Sequence, residues 1–128
     1  NARAERFSPG RRLQKAGALV VGGSDWNVTS VNPLEAIETA IRRQDPYTDD
    51  SSTLGKNEEI DLYTALDMYT RNAAYVMRLE DKTGTIEVGK KADLIVLDRN
   101  LFDIPTTEIS EVKVLLTLLD GKEVFSLL

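Results

Sequence analysis

The segment "ALVVGGSDWNVTSVNPLEAIETAIRR", residues 18–43, decides the fold class. It begins with a short apolar run, residues 18–22, which is bounded by glycine and predicts a buried strand. The stretch "SDWNVTSVNP" is rich in turn-forming residues and predicts a loop. Asn32 can then cap a helix that opens at Pro33, because asparagine accepts hydrogen bonds from free N–H groups and proline fits the first helical position. One face of this helix carries Leu34, Ile37 and Ile41.

A short helix is predicted on the N-terminal side of this segment, over "SPGRRLQKAG", residues 8–17. Ser8 can cap it, Pro9 fits its first position, and Gly17 ends it. The resulting order is helix, buried strand, loop and helix. This order is typical of an α/β protein.

On the C-terminal side, a polar stretch precedes two more helices. Residues 44–59 predict a long surface loop, either a solvated connector or a functional lid. The spacing of its aspartates does not match a calcium loop, so no metal is assigned to Asp45, Asp49 and Asp50. Asp61 can cap the next helix, and Thr70 can interrupt it and cap a second one. Their apolar stripe is predicted to be core: Leu62, Leu66, Tyr69, Ala73 and Val76.

The pattern changes to that of a β-rich region near residue 80. The stretch "GTIEVGKKADLIVLD" predicts a short strand or turn and then a buried strand over residues 93–97. The stretch "VKVLLTLLDGKEVFSLL" predicts a hairpin, since Asp120-Gly121 is a strong two-residue turn signal between apolar strands. The sequence therefore predicts a helical α/β half and a β-rich half.

Composition excludes several classes of protein and site. The chain has 128 residues, 41% of them hydrophobic and 29% charged, and a net charge of −5, which indicates a globular protein without the basic face of a nucleic-acid binder. No apolar run approaches the length of a membrane span. The lack of cysteine and histidine excludes disulfides, a Ser-His-Asp triad and a histidine-based metal site within this chain. The compartment stays open.

Three motifs together resemble a known family. These are "GSDW" followed by "NPLEAIETAIRR", then "YTRNAAYVMRLEDKTGTIEVGKKADLIVLD", and finally "VLLTLLDGKEVF". Their order resembles the C-terminal end of the metal-dependent amidohydrolase superfamily. The best match is its family 3 subgroup, which includes N-substituted formamide deformylases and many bacterial hydrolases. The resemblance runs from about Phe7 to Phe125.

The resemblance implies a fold made of two parts. Residues 1–80 would be the end of a (β/α)8 hydrolase barrel, with residues 18–22 as its last strand and the following helices packed around it. Residues 81–128 would contribute β-strands to a small composite β-sandwich domain, built from both chain ends. The chain is therefore expected to be a C-terminal fragment of a longer protein.

The resemblance also implies roles for two residues. Asp25 would be a metal ligand and the general base, and Trp26 would form an apolar wall of the substrate pocket. The parent protein would use a divalent metal, with zinc as the first candidate, to hydrolyse carbon–nitrogen bonds in small amide-type molecules. The other ligands, mainly histidines, would lie upstream, so the fragment alone is expected to bind no catalytic metal and to be inactive. Its partner would be the missing part of the barrel.

Alternatives remain at this stage. Without the resemblance, Asp25 is an ordinary turn or capping aspartate. Trp26 could be either a wall of the substrate pocket or a core residue. Ser24 reads as a turn residue, and Asn72 as support for local backbone structure without a catalytic role. Asn27 and Val31 depart from the subgroup pattern, and these loop changes are expected to alter the pocket shape while leaving Asp25 in place. The whole protein could be a non-catalytic regulatory or interaction protein of this fold, or the chain could be a self-standing α+β binding domain.

Overall fold

The structure is a computed structural model that describes residues 3–48 and 51–128. Helices come first along the chain and a small sheet follows. The α-helices are α1 (Gly10–Lys15), α2 (Pro33–Arg42), α3 (Leu62–Tyr69) and α4 (Arg71–Val76). Short 3-10 helices span Ala4–Arg6, Lys56–Glu58 and Thr106–Glu111. The strands are β1 (Leu94–Leu97), β2 (Val114–Leu119) and β3 (Lys122–Ser126).

Helix α1 forms where the sequence predicts it, but it begins differently. Ser8 adopts a φ of 47° and Pro9 occupies the cap position, with no side-chain capping bond. The predicted Ser8 cap is therefore wrong. Gly17 ends the helix as predicted, with a φ of 83° that side chains with a Cβ rarely adopt.

The predicted buried strand over residues 18–22 is not observed. Leu19 and Val21 are 48% and 37% exposed, and the segment pairs with no strand in the described part of the chain. A strand needs a neighbouring strand to pair its backbone groups, and the described residues provide no such strand here. We refer to residues 18–23 as the linking segment.

Helix α2 and the 3-10 helix Thr106–Glu111 build the main core. Asn32 caps α2 as predicted, because its Oδ1 accepts a hydrogen bond from the Leu34 N–H at 3.1 Å. Ile109 is 0% exposed and packs in a cluster that combines residues from before and after residue 80. Its buried members are Leu34, Ile37, Ile60, Ala65, Leu101, Ile109 and Val112.

Helices α3 and α4 follow the predicted pattern with two corrections. Asp61 caps α3, since its Oδ1 accepts from the Thr64 N–H at 2.7 Å. Thr70 does separate the two helices, but its hydroxyl donates to the Leu66 carbonyl at 2.8 Å and does not cap α4. Val76, predicted to be core, is exposed, because the interruption at Thr70 rotates the helical stripe. Leu62, Leu66 and Tyr69 of the predicted stripe are partly buried against the core, while the most deeply buried positions of the two helices are Ala65 and Ala74.

The three strands form an antiparallel sheet in the order β1-β2-β3. Leu94 lies opposite Leu118, and Leu116 lies opposite Ser126. Asp120 and Gly121 make the predicted turn, and both have positive φ, as a tight hairpin turn requires. The prediction that residues 93–97 are buried is wrong for the middle of β1. Ile95 and Val96 are exposed there in the described part of the chain.

The long polar stretch after α2 runs mostly over the surface, as predicted, although it contains the 3-10 helix Lys56–Glu58. Asp49 and Asp50 lie outside the described residues. No helix within residues 3–48 and 51–128 is long and apolar enough to cross a membrane.

Candidate functional site

Asp25 lies in a tight turn directly after the linking segment. Its φ is 50°, a left-handed conformation that aspartate tolerates better than most residues. Its carbonyl accepts a hydrogen bond from the Val28 N–H at 2.8 Å. The hydroxyl of Ser24 accepts one from the Trp26 N–H at 3.3 Å, so Ser24 acts as a turn residue. The turn therefore presents the Asp25 side chain to solvent.

The Asp25 carboxylate makes no hydrogen bond or ion pair with any residue that the structure describes. An exposed, unpaired carboxylate can provide one oxygen ligand to a divalent metal. Within residues 3–48 and 51–128, however, no three histidine, cysteine, aspartate or glutamate side chains form a group that could hold an ion. Asp25 thus fits as a single ligand, and a complete site needs donors from elsewhere.

A cavity of about 590 Å³ lies between the linking segment and the helices around it. Its apolar lining includes Leu13, Val20, Ile60 and Met68. Gly22 and Gly23 also line it, whereas Asp25 and Trp26 do not. The cavity therefore approaches the base of the Asp25 turn without including the carboxylate.

One polar side of this cavity is formed by Glu35 and Tyr47. The Tyr47 hydroxyl donates to Glu35 Oε2, and Asn32 Nδ2 donates to Glu35 Oε1 at 3.1 Å. The hydrogen bond from Tyr47 is the main reason why the pKa of Glu35 lies below its usual value, and it raises the pKa of Tyr47. The Asn-x-x-Glu spacing of a capping box was a signal that could have revealed Glu35.

Glu58 is a second carboxylate at this cavity, and it is 1% exposed. Its oxygens accept hydrogen bonds from the Arg12 backbone N–H at 3.1 Å and from Arg12 Nε. Burial alone would raise the pKa of Glu58. The hydrogen bonds from Arg12 and the positive charges of Arg12 and Arg43 have a larger effect, so the pKa is lowered overall. Sequence reasoning missed Glu58 because it lies in a stretch that reads as a solvated loop.

A sequence profile described as "Amidohydrolase family" matches residues 1–125. The chain belongs to this family. It is 37% identical over 116 residues to an N-substituted formamide deformylase from Arthrobacter pascens, an alignment that covers 91% of this chain and 21% of the relative.

Two further comparisons agree with the assignment to the amidohydrolase family. The chain is 32% identical to a 5-methylthioadenosine/S-adenosylhomocysteine deaminase from Caldanaerobacter subterraneus, over 76% of this chain and 22% of the relative. The crystal structure of an amidohydrolase from Thermotoga maritima aligns with a TM-score of 0.66 and 27% identity, covering 90% of this chain and 25% of that one. The chain spans about a fifth of the length of the curated relatives it matches.

The two site residues predicted from the sequence lie next to each other in this amidohydrolase chain, at one exposed turn. Trp26 is 70% exposed, so the described part of the chain does not bury it. Asn72 does support backbone structure, but over a long range, because its Nδ2 donates to the Val20 carbonyl at 3.0 Å. The predicted site residues therefore lie in an exposed turn that follows the linking segment, and Asn72 holds that segment at Val20.

Proposed function

We propose that this chain is part of a larger metal-dependent hydrolase that cleaves carbon–nitrogen bonds other than peptide bonds. The observation that carries the proposal is Asp25, an exposed carboxylate without a partner in the described part of an amidohydrolase-family chain. The relatives' names support the reaction class, since one is called a deformylase and another a deaminase. The substrate class is a small molecule with an amide-type bond.

Asp25 is the general base in this proposal. A divalent metal bound there, with zinc as the first candidate, would lower the pKa of a water molecule towards neutrality. Asp25 would be one ligand of that metal. Its carboxylate would accept the proton of the attacking water and pass it to the leaving nitrogen. Its exposure, and the lack of hydrogen bonds from the described residues, leave the carboxylate available for both steps.

Trp26 is proposed to form an apolar wall of the substrate pocket. The indole follows Asp25 directly, and its 70% exposure leaves its surface available for contact. An exposed aromatic ring beside a reactive carboxylate is suited to hold the apolar part of a substrate. The remaining pocket would come from parts of the protein outside this chain.

The fold proposal assigns residues 1–80 to the end of a (β/α)8 barrel and residues 81–128 to a small β-sandwich domain. The backbone groups of Leu19 and Val21 have no hydrogen-bond partner in the described part of the chain, which supports pairing with strands from elsewhere. The exposed apolar side chains of β1 support a second sheet or layer over them. The missing part of the barrel is thus the proposed partner, and this chain alone is proposed to be inactive and metal-free.

The test begins with the gene upstream of the codon for Asn1. The proposal expects a continuous reading frame that encodes a His-x-His and further spaced histidines. In the complete protein, Asp25→Asn should abolish turnover, because the neutral amide cannot act as a general base and binds a divalent metal more weakly than a carboxylate does. Asp81→Asn is the matched control, since Asp81 is also an exposed aspartate in a turn.

Two outcomes would overturn this proposal. Equal turnover of the Asp25→Asn and Asp81→Asn proteins would remove the catalytic role of Asp25. An upstream sequence without the histidines would remove the metal mechanism, and would favour a non-catalytic regulatory or interaction protein of the same fold.

A further inference from the structure

The linking segment is held by two hydrogen bonds from the junction of α3 and α4. Asn72 Nδ2 donates to the Val20 carbonyl at 3.0 Å, across 52 residues of sequence. The Gly22 N–H donates to the Met68 carbonyl at 3.2 Å. Both anchors lie within five residues of Asp25. In the described part of the chain, they are the only hydrogen bonds between the backbone of Val20 and Gly22 and the helices α3 and α4.

The break between the two helices makes both anchors available. The last carbonyls of a helix have no partner inside it, so ending α3 at Tyr69 frees the Met68 carbonyl for Gly22. Starting α4 at Arg71 places Asn72 in its first turn, where its side chain reaches the Val20 carbonyl. A continuous helix through Thr70 would have kept the Met68 carbonyl for its own backbone.

Close packing makes this anchoring specific. A Cβ at Gly22 would lie 2.4 Å from Cε2 and Cζ of the Tyr69 ring, which is far below contact distance. Any larger residue at position 22 would therefore require the Tyr69 ring to move away from the linking segment.

We propose that Asn72 is a positioning residue that fixes where the Asp25 carboxylate stands. The inference rests on the proposed function, since it assumes that Asp25 is the general base. Asp25 has no partner of its own among the described residues, so its position depends on the backbone that leads into the turn. Asn72 holds that backbone at Val20, and the Gly22 amide holds it three residues before Asp25. Misplacing a base by about 1 Å costs roughly 100-fold in rate.

The experiment compares Asn72→Ala and Asn72→Asp with Gln14→Ala. Aspartate keeps the size of Asn72 but cannot donate to the Val20 carbonyl. Gln14 is the matched control because its side-chain amide also bridges two helices, donating to Thr64 Oγ1 at 2.7 Å. In the complete protein, both Asn72 variants should lower kcat by roughly 10- to 100-fold with KM within about twofold. Gln14→Ala should leave both constants within about twofold.

A second measurement needs no activity. Hydrogen exchange of the Gly22 amide in the complete protein should become about tenfold faster in the Asn72 variants and remain unchanged in Gln14→Ala. Equal effects of the Asn72 variants and the control on kcat and on exchange would overturn the proposal. Failure of both Asn72 variants to fold would also overturn it, in favour of a purely structural role. Unchanged turnover in Asp25→Asn would instead refute the proposed function and leave the exchange result standing.

Discussion

Replacing Glu38 with alanine should destabilise the chain by about 2–4 kcal/mol. Glu38 is 2% exposed, on the inner face of α2. One carboxylate oxygen accepts the backbone N–H of Ser110 at 2.8 Å, and the other pairs with the Arg42 guanidinium one turn along the same helix. This side chain therefore links α2 to the 3-10 helix Thr106–Glu111 across the main core.

The magnitude follows from what each partner loses. Ser110 would keep a partly buried N–H without an acceptor, which costs about 1–3 kcal/mol. Arg42 would lose its buried counter-charge, but its side chain is still 26% exposed, so solvent offsets part of that loss. We assign about 1 kcal/mol to it, well below the cost of breaking a fully buried pair. Glu38→Gln should cost less, about 1–2 kcal/mol, because its carbonyl can still accept from Ser110.

Urea unfolding followed by circular dichroism, at a concentration where the chain is monomeric, measures these differences. Glu111→Ala is the matched control, because Glu111 is an exposed glutamate at the end of the same 3-10 helix, and it should change stability by less than about 0.5 kcal/mol. A Glu38→Ala cost no larger than that of the control would show that the carboxylate does not connect the two elements energetically.

Two further predictions concern the carboxylates beside the cavity. Because the folded-state pKa of Glu58 is lowered from 4.5, its contribution to stability should be present above that pH and be lost as the pH falls through its folded value. Thermal unfolding from pH 3 to 7 should show this loss, and Glu58→Gln should flatten it, whereas parallel profiles would contradict the ion pair with Arg12. Tyr47→Phe should raise the pKa of Glu35 towards 4.5 in a carboxyl NMR titration. An unchanged titration would show that the Tyr47 hydroxyl is not bound to Glu35 in solution.

Local signals in the sequence predicted the hairpin turn and the caps of α2 and α3, but not the starts of α1 and α4. Asn32 and Asp61 cap their helices as predicted, and Asp120-Gly121 forms the hairpin turn. Each of these features depends on a few neighbouring residues, because a cap or a tight turn is decided by side-chain oxygens and φ preferences within four positions. The tertiary surroundings had little chance to override them.

Burial and long-range polar contacts were not predictable in the same way. The run at residues 18–22 reads as a buried strand, yet what covers a strand is decided by other segments, and the described residues supply no neighbour. Glu38 and Glu58 are charged residues that a sequence places on the surface by default. Each is buried because a partner more than 40 residues away, Ser110 or Arg12, meets it. Such pairings leave no periodic mark in the sequence.

The two anchoring systems have a common consequence for the Asp25 turn. Upstream, Asn72 and the Met68 carbonyl hold the linking segment. Downstream, Asn32 fixes the start of α2 and Glu38 ties that helix to the core. The residues between them are held at both ends and project into solvent, where the described part of the chain gives their side chains little cover. A loop that is fixed at its base and open at its tip combines a stable carboxylate position with free access, which a catalytic base requires of its scaffold.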